Sequence, residues 1–191
     1  PTFQRILAAL FCLPFTCVVS AQTLLVQPYL QDAEPTRMTI LWETTTGAES
    51  TVQYGLTTSL GSAASGTAFT SSGTNQLHTV TLTGLVPATA YHYRVVTGAA
   101  VSAIFKFRTP ALASAEGPTS IVAMSDMQRD NGLPNKFWEV VHNGVIDHVT
   151  DSMGPDLSEE LAMIVIPGDL VDNGTNYASW KTTFFDPANP L

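Results

Sequence analysis

The sequence is poor in charge and almost free of cysteine. Charged residues make up 13 % of 191, while Ser and Thr abound, which suits an exported β-rich protein better than a cytosolic helical one. The two cysteines, Cys12 and Cys17, both fall within the first 21 residues. Everything after Ala21 is therefore without thiol, disulfide or cysteine metal site. Bases are scarce as well: 8 Lys and Arg face 16 Asp and Glu, for a net charge of −8. The imbalance is local. From Gln22 to Pro110 four acids meet four bases, whereas from Ala111 onward twelve acids meet three. The second part suits a cation holder and lacks the basic patches that a nucleic-acid backbone requires. Asp147, Asp151, Asp156, Glu159 and Glu160 read as a solvated acidic surface.

Residues 1–21 have the pattern of a secretory signal peptide, with Arg5 as positive flank, an apolar stretch from Ile6 to Val19, and Val19-Ser20-Ala21 as a small-residue cleavage site. Pro14 and the modest apolar length argue against a membrane-spanning helix. The expected location is secreted or periplasmic, after cleavage near Ala21. The chain starts at Pro1 and ends in DPANPL, so it is expected to be a piece of a longer protein.

From residue 22 to 109 the pattern is that of an all-β sandwich. Period-2 alternation places strands at Leu24–Leu30, Arg37–Thr44, Ser50–Gly55, Gln76–Thr83, Ala90–Thr97 and Ser102–Arg108, separated by Gly, Ser and Thr clusters such as GSAASGTA (61–68). Met38, Ile40 and Trp42 share a face, with Trp42 as the expected core aromatic. The run LTGLVPATAYHYRV brings Tyr91 and Tyr93 into a strand just after a turn. It resembles the tyrosine corner of immunoglobulin-like and fibronectin type III sandwiches. His78 and His92 lie in strands without a second ligand at a workable offset, and read as surface or half-buried residues.

Residues 110–118 form a short linker rich in Pro, Gly and Ala. The pattern then changes to strand, loop, helix, strand. TSIVAM (119–124) leads into Asp126, Gln128, Asp130 and Asn131; LAMIVI (161–166) leads through Pro167-Gly168 into Asp169, Asp172 and Asn173. The second run reads as a buried central strand of a parallel sheet. Between them, Phe137, Val141, Val145 and Val149 recur at every fourth position of a helix from Asn135 to Thr150 that begins after Pro134 and is weakened by Gly144. His142 and His148 read as solvated residues of that helix, and a further helix begins at Tyr177. One right-handed crossover would set both acidic loops at neighbouring carboxyl ends, where open α/β sheets collect their chemistry. Carboxylates and amides there are hard oxygen donors suited to divalent cations.

With these motifs in view, the chain resembles the calcineurin-like metallophosphoesterases, and within them the purple acid phosphatase type, which sets a fibronectin-like domain before the catalytic one. QPYLQ, MTILWET, VQYG, HTVTLTGLVPATAYHYRV and FKFRTP carry the resemblance in the sandwich; SDMQ and GDLVDNG carry it beyond the linker. The resemblance implies a fibronectin type III-like sandwich followed by the start of an α/β metallophosphoesterase domain. It implies two divalent or trivalent metal ions (Fe, Mn, Zn or Mg) and a phosphate-ester substrate. Asp126 would be a terminal ligand, Asp169 the bridging ligand, and Gln128 would stand where many relatives have a ligating His. Asp172 and Asn173 would shape the loop or act in the second shell. Asp172 occupies the place of the Tyr that colours the purple enzymes, so no tyrosinate band is expected. Later His and Asn motifs of the family are missing from the chain, so no catalytic residue is expected within it and it is expected to be inactive by itself.

Two other readings compete. The chain could be a secreted fibronectin-like binding or adhesion module behind which the phosphoesterase part has degenerated, a reading favoured by Gln128 and opposed by the retention of both Asp126 and Asp169. A nucleotide-binding α/β domain fails because neither strand end carries a Gly-rich cradle followed by Lys.

Overall fold

The structure, a computed structural model, describes residues 21–128 and 136–191. Residues 1–20, with most of the expected signal segment and both cysteines, lie outside the described residues, as do Asp130 and Asn131. Among the described residues no helix is long and apolar enough to cross a membrane.

Nine strands build a two-sheet sandwich: β1 (Leu24–Glu34), β2 (Arg37–Thr44), β3 (Thr51–Gly55), β4 (Ser62–Ser65), β5 (Thr67–Thr70), β6 (Gln76–Thr83), β7 (Ala90–Thr97), β8 (Ala100–Val101) and β9 (Phe105–Arg108). One sheet runs β1-β2-β6-β5; the other runs β4-β3-β7-β8, with β9 also paired to β7. All these pairings are antiparallel. Inward positions of the two sheets meet in one core, where Ile40, Trp42, Val52, Val80, Leu82 and Val95 are fully buried. The face shared by Met38, Ile40 and Trp42 is thus buried as the alternation requires.

β4 and β5 occupy the stretch read from sequence as a Gly/Ser spacer. Their small residues carry little β signal, and their pairing depends on a close approach at Gly66. A Cβ there would lie 2.0 Å from the Thr79 carbonyl oxygen, so only glycine lets the chain pass.

The tyrosine corner forms around Tyr91. The Val86 N–H donates to the Tyr91 hydroxyl oxygen at 3.0 Å. Thr109 ties the same turn to the end of β9: its hydroxyl donates to the Val86 carbonyl at 2.6 Å and accepts from the Thr89 N–H at 2.9 Å. Tyr91→Phe removes only the acceptor, and is expected to cost about 1 kcal/mol. A lowered urea midpoint at neutral pH, with an unchanged slope, is the check; an unmoved midpoint would show that this bond does not stabilise the corner.

His78 corrects the surface reading. It is fully buried, because it shares the inward face of β6 with Val80 and Leu82. Its ring stacks on Trp42 at 4.8 Å and 9°. The nitrogens lie 2.8 Å from the hydroxyls of Thr44 and Ser50. A polar ring is tolerated there because both of its nitrogens have partners. His92, by contrast, is half-buried.

Beyond the linker lie two short parallel strands, β10 (Ile121–Ala123) and β11 (Met163–Val165), in the register Ile121↔Met163, Val122↔Ile164, Ala123↔Val165. The helix between them spans residues 136–152 and is π-wound over Val140–Ile146. That winding explains the stripe at every fourth position. A spacing of four overshoots the 3.6-residue turn, and the wider π turn takes up the drift. Phe137, Val141 and Val149 are buried in consequence. His148 is exposed as expected, while His142 is half-buried and stacks on Trp138 at 4.1 Å.

The buried-strand reading of residues 161–166 is also corrected. Met163 is 51 % and Val165 39 % exposed, as is Ile121 at 51 % in the neighbouring strand. These residues share one face of the pair, and among the described residues nothing covers it. Two residues of the expected solvated surface are likewise engaged. Asp156 and Glu159 accept from Lys106 at 2.6 and 2.8 Å, and Glu159 also accepts from Arg108, all bases of the sandwich strand β9. These hydrogen bonds hold both carboxyls below, and the Lys106 amine above, their ordinary pKa values.

Candidate metal centre

The parallel pairing of β10 and β11 continues past the strands and stitches their loops together. The Met124 N–H donates to Val165 at 3.1 Å, Asp126 to Gly168 at 3.4 Å, and Gln128 to Asp169 at 2.9 Å, each to a carbonyl oxygen. The Ser125 hydroxyl also donates to the Gly168 carbonyl at 3.3 Å. Asp126, Gln128 and Asp169, separated in sequence, are therefore held on adjoining backbone.

Asp126 and Asp169 share an unusual conformation. Their φ angles are 60° and 51°, in the left-handed region where Asp is tolerated better than most residues. Backbone strain of this kind collects at functional sites. In each loop the strained Asp is exposed and the next residue is an apolar anchor. Met127 is buried in the second core with Phe137 and Val141, and Leu170 packs against the same cluster. Each anchor pins its loop and leaves the preceding carboxylate at the surface.

A cleft of about 420 Å³ opens beside the first loop, lined by Asp126, Gln128, Lys136, Phe137 and Val140 among others. Lys136 was not singled out in the sequence; its place as the first helical residue after the loop was the available signal. Its ammonium lies 3.6 Å from the Glu139 carboxylate. Asp172 and Asn173 lie on the second loop. The Asn173 side chain shapes it, accepting from the Thr175 N–H at 3.0 Å and the Thr175 hydroxyl at 2.7 Å. Among the described residues no three His, Cys, Asp or Glu side chains converge tightly enough to enclose a metal ion.

The residues present nevertheless fit a hard cation. Two exposed carboxylates stand on adjoining loops, and the buried Gln128 side-chain oxygen has no hydrogen-bond donor among the described residues. A buried acceptor left alone costs roughly 1–3 kcal/mol, and a cation or its bound water would satisfy it.

The described chain is thus a β-sandwich followed by a strand–helix–strand unit whose two strand ends carry acidic residues. Residues 25–109 match the family described as "Purple acid Phosphatase, N-terminal domain". Among solved structures, a purple acid phosphatase from yellow lupin (Lupinus luteus) seeds superposes with a TM-score of 0.63 at 17 % identity, over 86 % of this chain and 32 % of that one. PhoD superposes with a TM-score of 0.55 at 14 % identity, over 76 % of this chain and 27 % of that one. At these identities the likeness is one of fold. The chain spans about a third or less of the length of either protein, by the 32 % and 27 % shares. No curated protein matches the sequence.

Proposed function

We propose that the chain is the N-terminal part of a secreted, metal-dependent phosphoesterase that hydrolyses phosphate esters at a binuclear centre. The observation that carries this reading is the pairing of Asp126 and Asp169, each in a left-handed conformation at the end of one of two hydrogen-bonded parallel strands, with a Gln128 oxygen nearby in sequence that has no partner among the described residues. The family match over residues 25–109 and the likeness of fold to the lupin purple acid phosphatase and to PhoD support it.

In this reading Asp126 and Gln128 would hold one cation, and Asp169 would be the ligand it shares with a second. Bound cations would polarise a phosphoryl oxygen and lower the pKa of a coordinated water. Asp126 and Asp169 supply the negative charge that fixes them. Lys136 lines the same cleft and offers a cation toward an anionic ester. All three oxygen donors are hard, which favours Mn or Mg over softer preferences.

Asp169→Asn is the test, because Asn tolerates the left-handed backbone and removes only the charge. In the complete protein, turnover of a phosphate ester at saturating Mn²⁺ is expected to fall by more than about 100-fold, beyond the 10–100-fold typical of losing an outer-shell partner. The urea midpoint of the sandwich should stay in place. Unchanged turnover refutes the bridging role. Absence of both Mn²⁺ binding and turnover in the unmutated complete protein would favour the adhesion-module reading that Gln128, in place of His, keeps open.

A further inference from the structure

We infer that the sandwich positions the second acidic loop: Glu43, a strand residue of the N-terminal domain, is a positioning residue for Asp169 and Asp172, acting through Tyr177. Glu43 stands on β2 between Trp42 and Thr44, so alternation turns its side chain away from the sandwich core. An outward carboxylate would be expected in solvent, yet Glu43 is only 4 % exposed. Two hydroxyls close over it. Ser71 donates to one carboxylate oxygen, and Tyr177, 134 residues away in sequence, donates to the other.

A carboxylate buried this deeply is costly unless hydrogen-bonded. Ser71 satisfies one oxygen from within the sandwich; the second needs the hydroxyl that arrives with residue 177. The site is thus built for two parts of the chain. A second contact lies beside it, where Tyr29 of β1 packs on Phe185 of the same C-terminal helical stretch at 5.2 Å. Burial, reinforced by the Glu43 charge, raises the pKa of Tyr29; burial and the Glu43 bond raise that of Tyr177, so both hydroxyls stay protonated at neutral pH and Tyr177 remains a donor.

The tie reaches the candidate ligands through a stiff connection. Between Asp172 and Tyr177 the chain is locked by its own hydrogen bonds. Asn173 accepts from Thr175 through its side chain and from the Asn176 N–H, at 3.0 Å, through its carbonyl. The Asn176 side chain caps the helix at the Ala178 N–H, 3.2 Å away. The Trp180 indole donates to the Gly174 carbonyl at 2.9 Å. Fixing Tyr177 therefore fixes the loop that begins at Asp169, and β2 becomes a support for the candidate centre.

The consequence for the metal rests on the role proposed for Asp169; the tie itself does not. The test is amide hydrogen exchange at Thr175, Asn176, Ala178 and Ser179, together with Mn²⁺ affinity, in the unmutated chain, Glu43→Gln, Tyr177→Phe and the double variant. Tyr177→Phe removes a single hydroxyl and keeps the ring, so it guards against a Glu43 variant that fails to fold. Each single variant is expected to speed exchange at the four amides about tenfold, the double no further, with Val80 and Leu82 unchanged. Mn²⁺ affinity should weaken severalfold in parallel. Unchanged exchange in both singles, or fully additive effects, overturns the tie. Faster exchange with unaltered Mn²⁺ affinity, while Asp169→Asn abolishes binding, overturns the positioning role. If Asp169→Asn leaves Mn²⁺ binding intact, the metal reading of Asp169 falls and the exchange result still decides the tie.

Discussion

Trp42→Ala is expected to destabilise the sandwich by about 3–5 kcal/mol, the range for deleting a fully buried large aromatic. Trp42 is fully buried at the centre of β2. Its ring covers His78, and its indole N–H donates to the Thr97 hydroxyl at 2.9 Å. Thr97 is itself buried, so the truncation leaves a cavity and also a buried hydroxyl that has lost a donor. Trp42→Phe separates the two effects, since it keeps an aromatic surface against His78 and loses the N–H. It should cost clearly less than alanine. Urea unfolding at pH 7 is the measurement. A cost below about 1.5 kcal/mol for Trp42→Ala would mean that the site collapses around the loss and that the core is not organised on this ring.

The second large effect is a loss of stability in mild acid that is traceable to His78. Burial lowers the pKa of this imidazole from 6.5 to about 4. Its hydrogen bonds fit the neutral ring. The Thr44 hydroxyl, 3.0 Å from the Thr46 carbonyl, accepts from Nε2, and the Ser50 hydroxyl, whose other acceptor is the Ala48 carbonyl at 3.3 Å, gives its proton to the nearer Nδ1 at 2.8 Å. Above pH 6.5 the folded and unfolded chains both carry a neutral His78, and its contribution is fully present. As pH falls from 6.5 toward 4, the unfolded chain takes up the proton and the folded chain resists it. About 3 kcal/mol of stability should disappear across that window, at about 1.4 kcal/mol per pH unit. Urea unfolding of the unmutated protein and of His78→Gln at pH 7, 5.5 and 4.5 isolates the contribution as the difference between the two slopes. Parallel pH dependences would show that the ring is protonated in the fold. The carboxylates that meet Lys106 and Arg108 act in a lower window. Their depressed pKa values give stability that is present above the ordinary carboxylate range and lost below it, in both proteins alike.

His78 and Glu43 are both buried, and the sequence hid this for one reason. Each sits in a strand whose pattern was legible, and each is polar, so composition argued for the surface. For His78 the alternation with Val80 and Leu82 already pointed inward, and what sequence could not supply was the pair of hydroxyls, from β2 and from Ser50 ahead of β3, that makes a buried imidazole tolerable. For Glu43 the alternation pointed outward correctly, and the cover arrives from a helix 134 residues later. Asp156 and Glu159 were read as solvated for the same reason, their partners lying about fifty residues upstream, at separations of 50, 51 and 53.

The sequence by itself determined the longer strands of the sandwich, the tyrosine corner, and the two strand ends that carry Asp126, Gln128 and Asp169. These are local properties: period-2 alternation, turn residues and a change of pattern at the linker are written in neighbouring side chains. Tertiary structure alone decided that GSAASGTA forms β4 and β5, because a Cβ at position 66 would lie 2.0 Å from the Thr79 carbonyl oxygen and only glycine fits there. It decided that both loop aspartates take left-handed backbone, and that the sandwich reaches across to Tyr177. Close approach, strain and long-range hydrogen bonds depend on where distant segments meet, and no window of the sequence holds both partners.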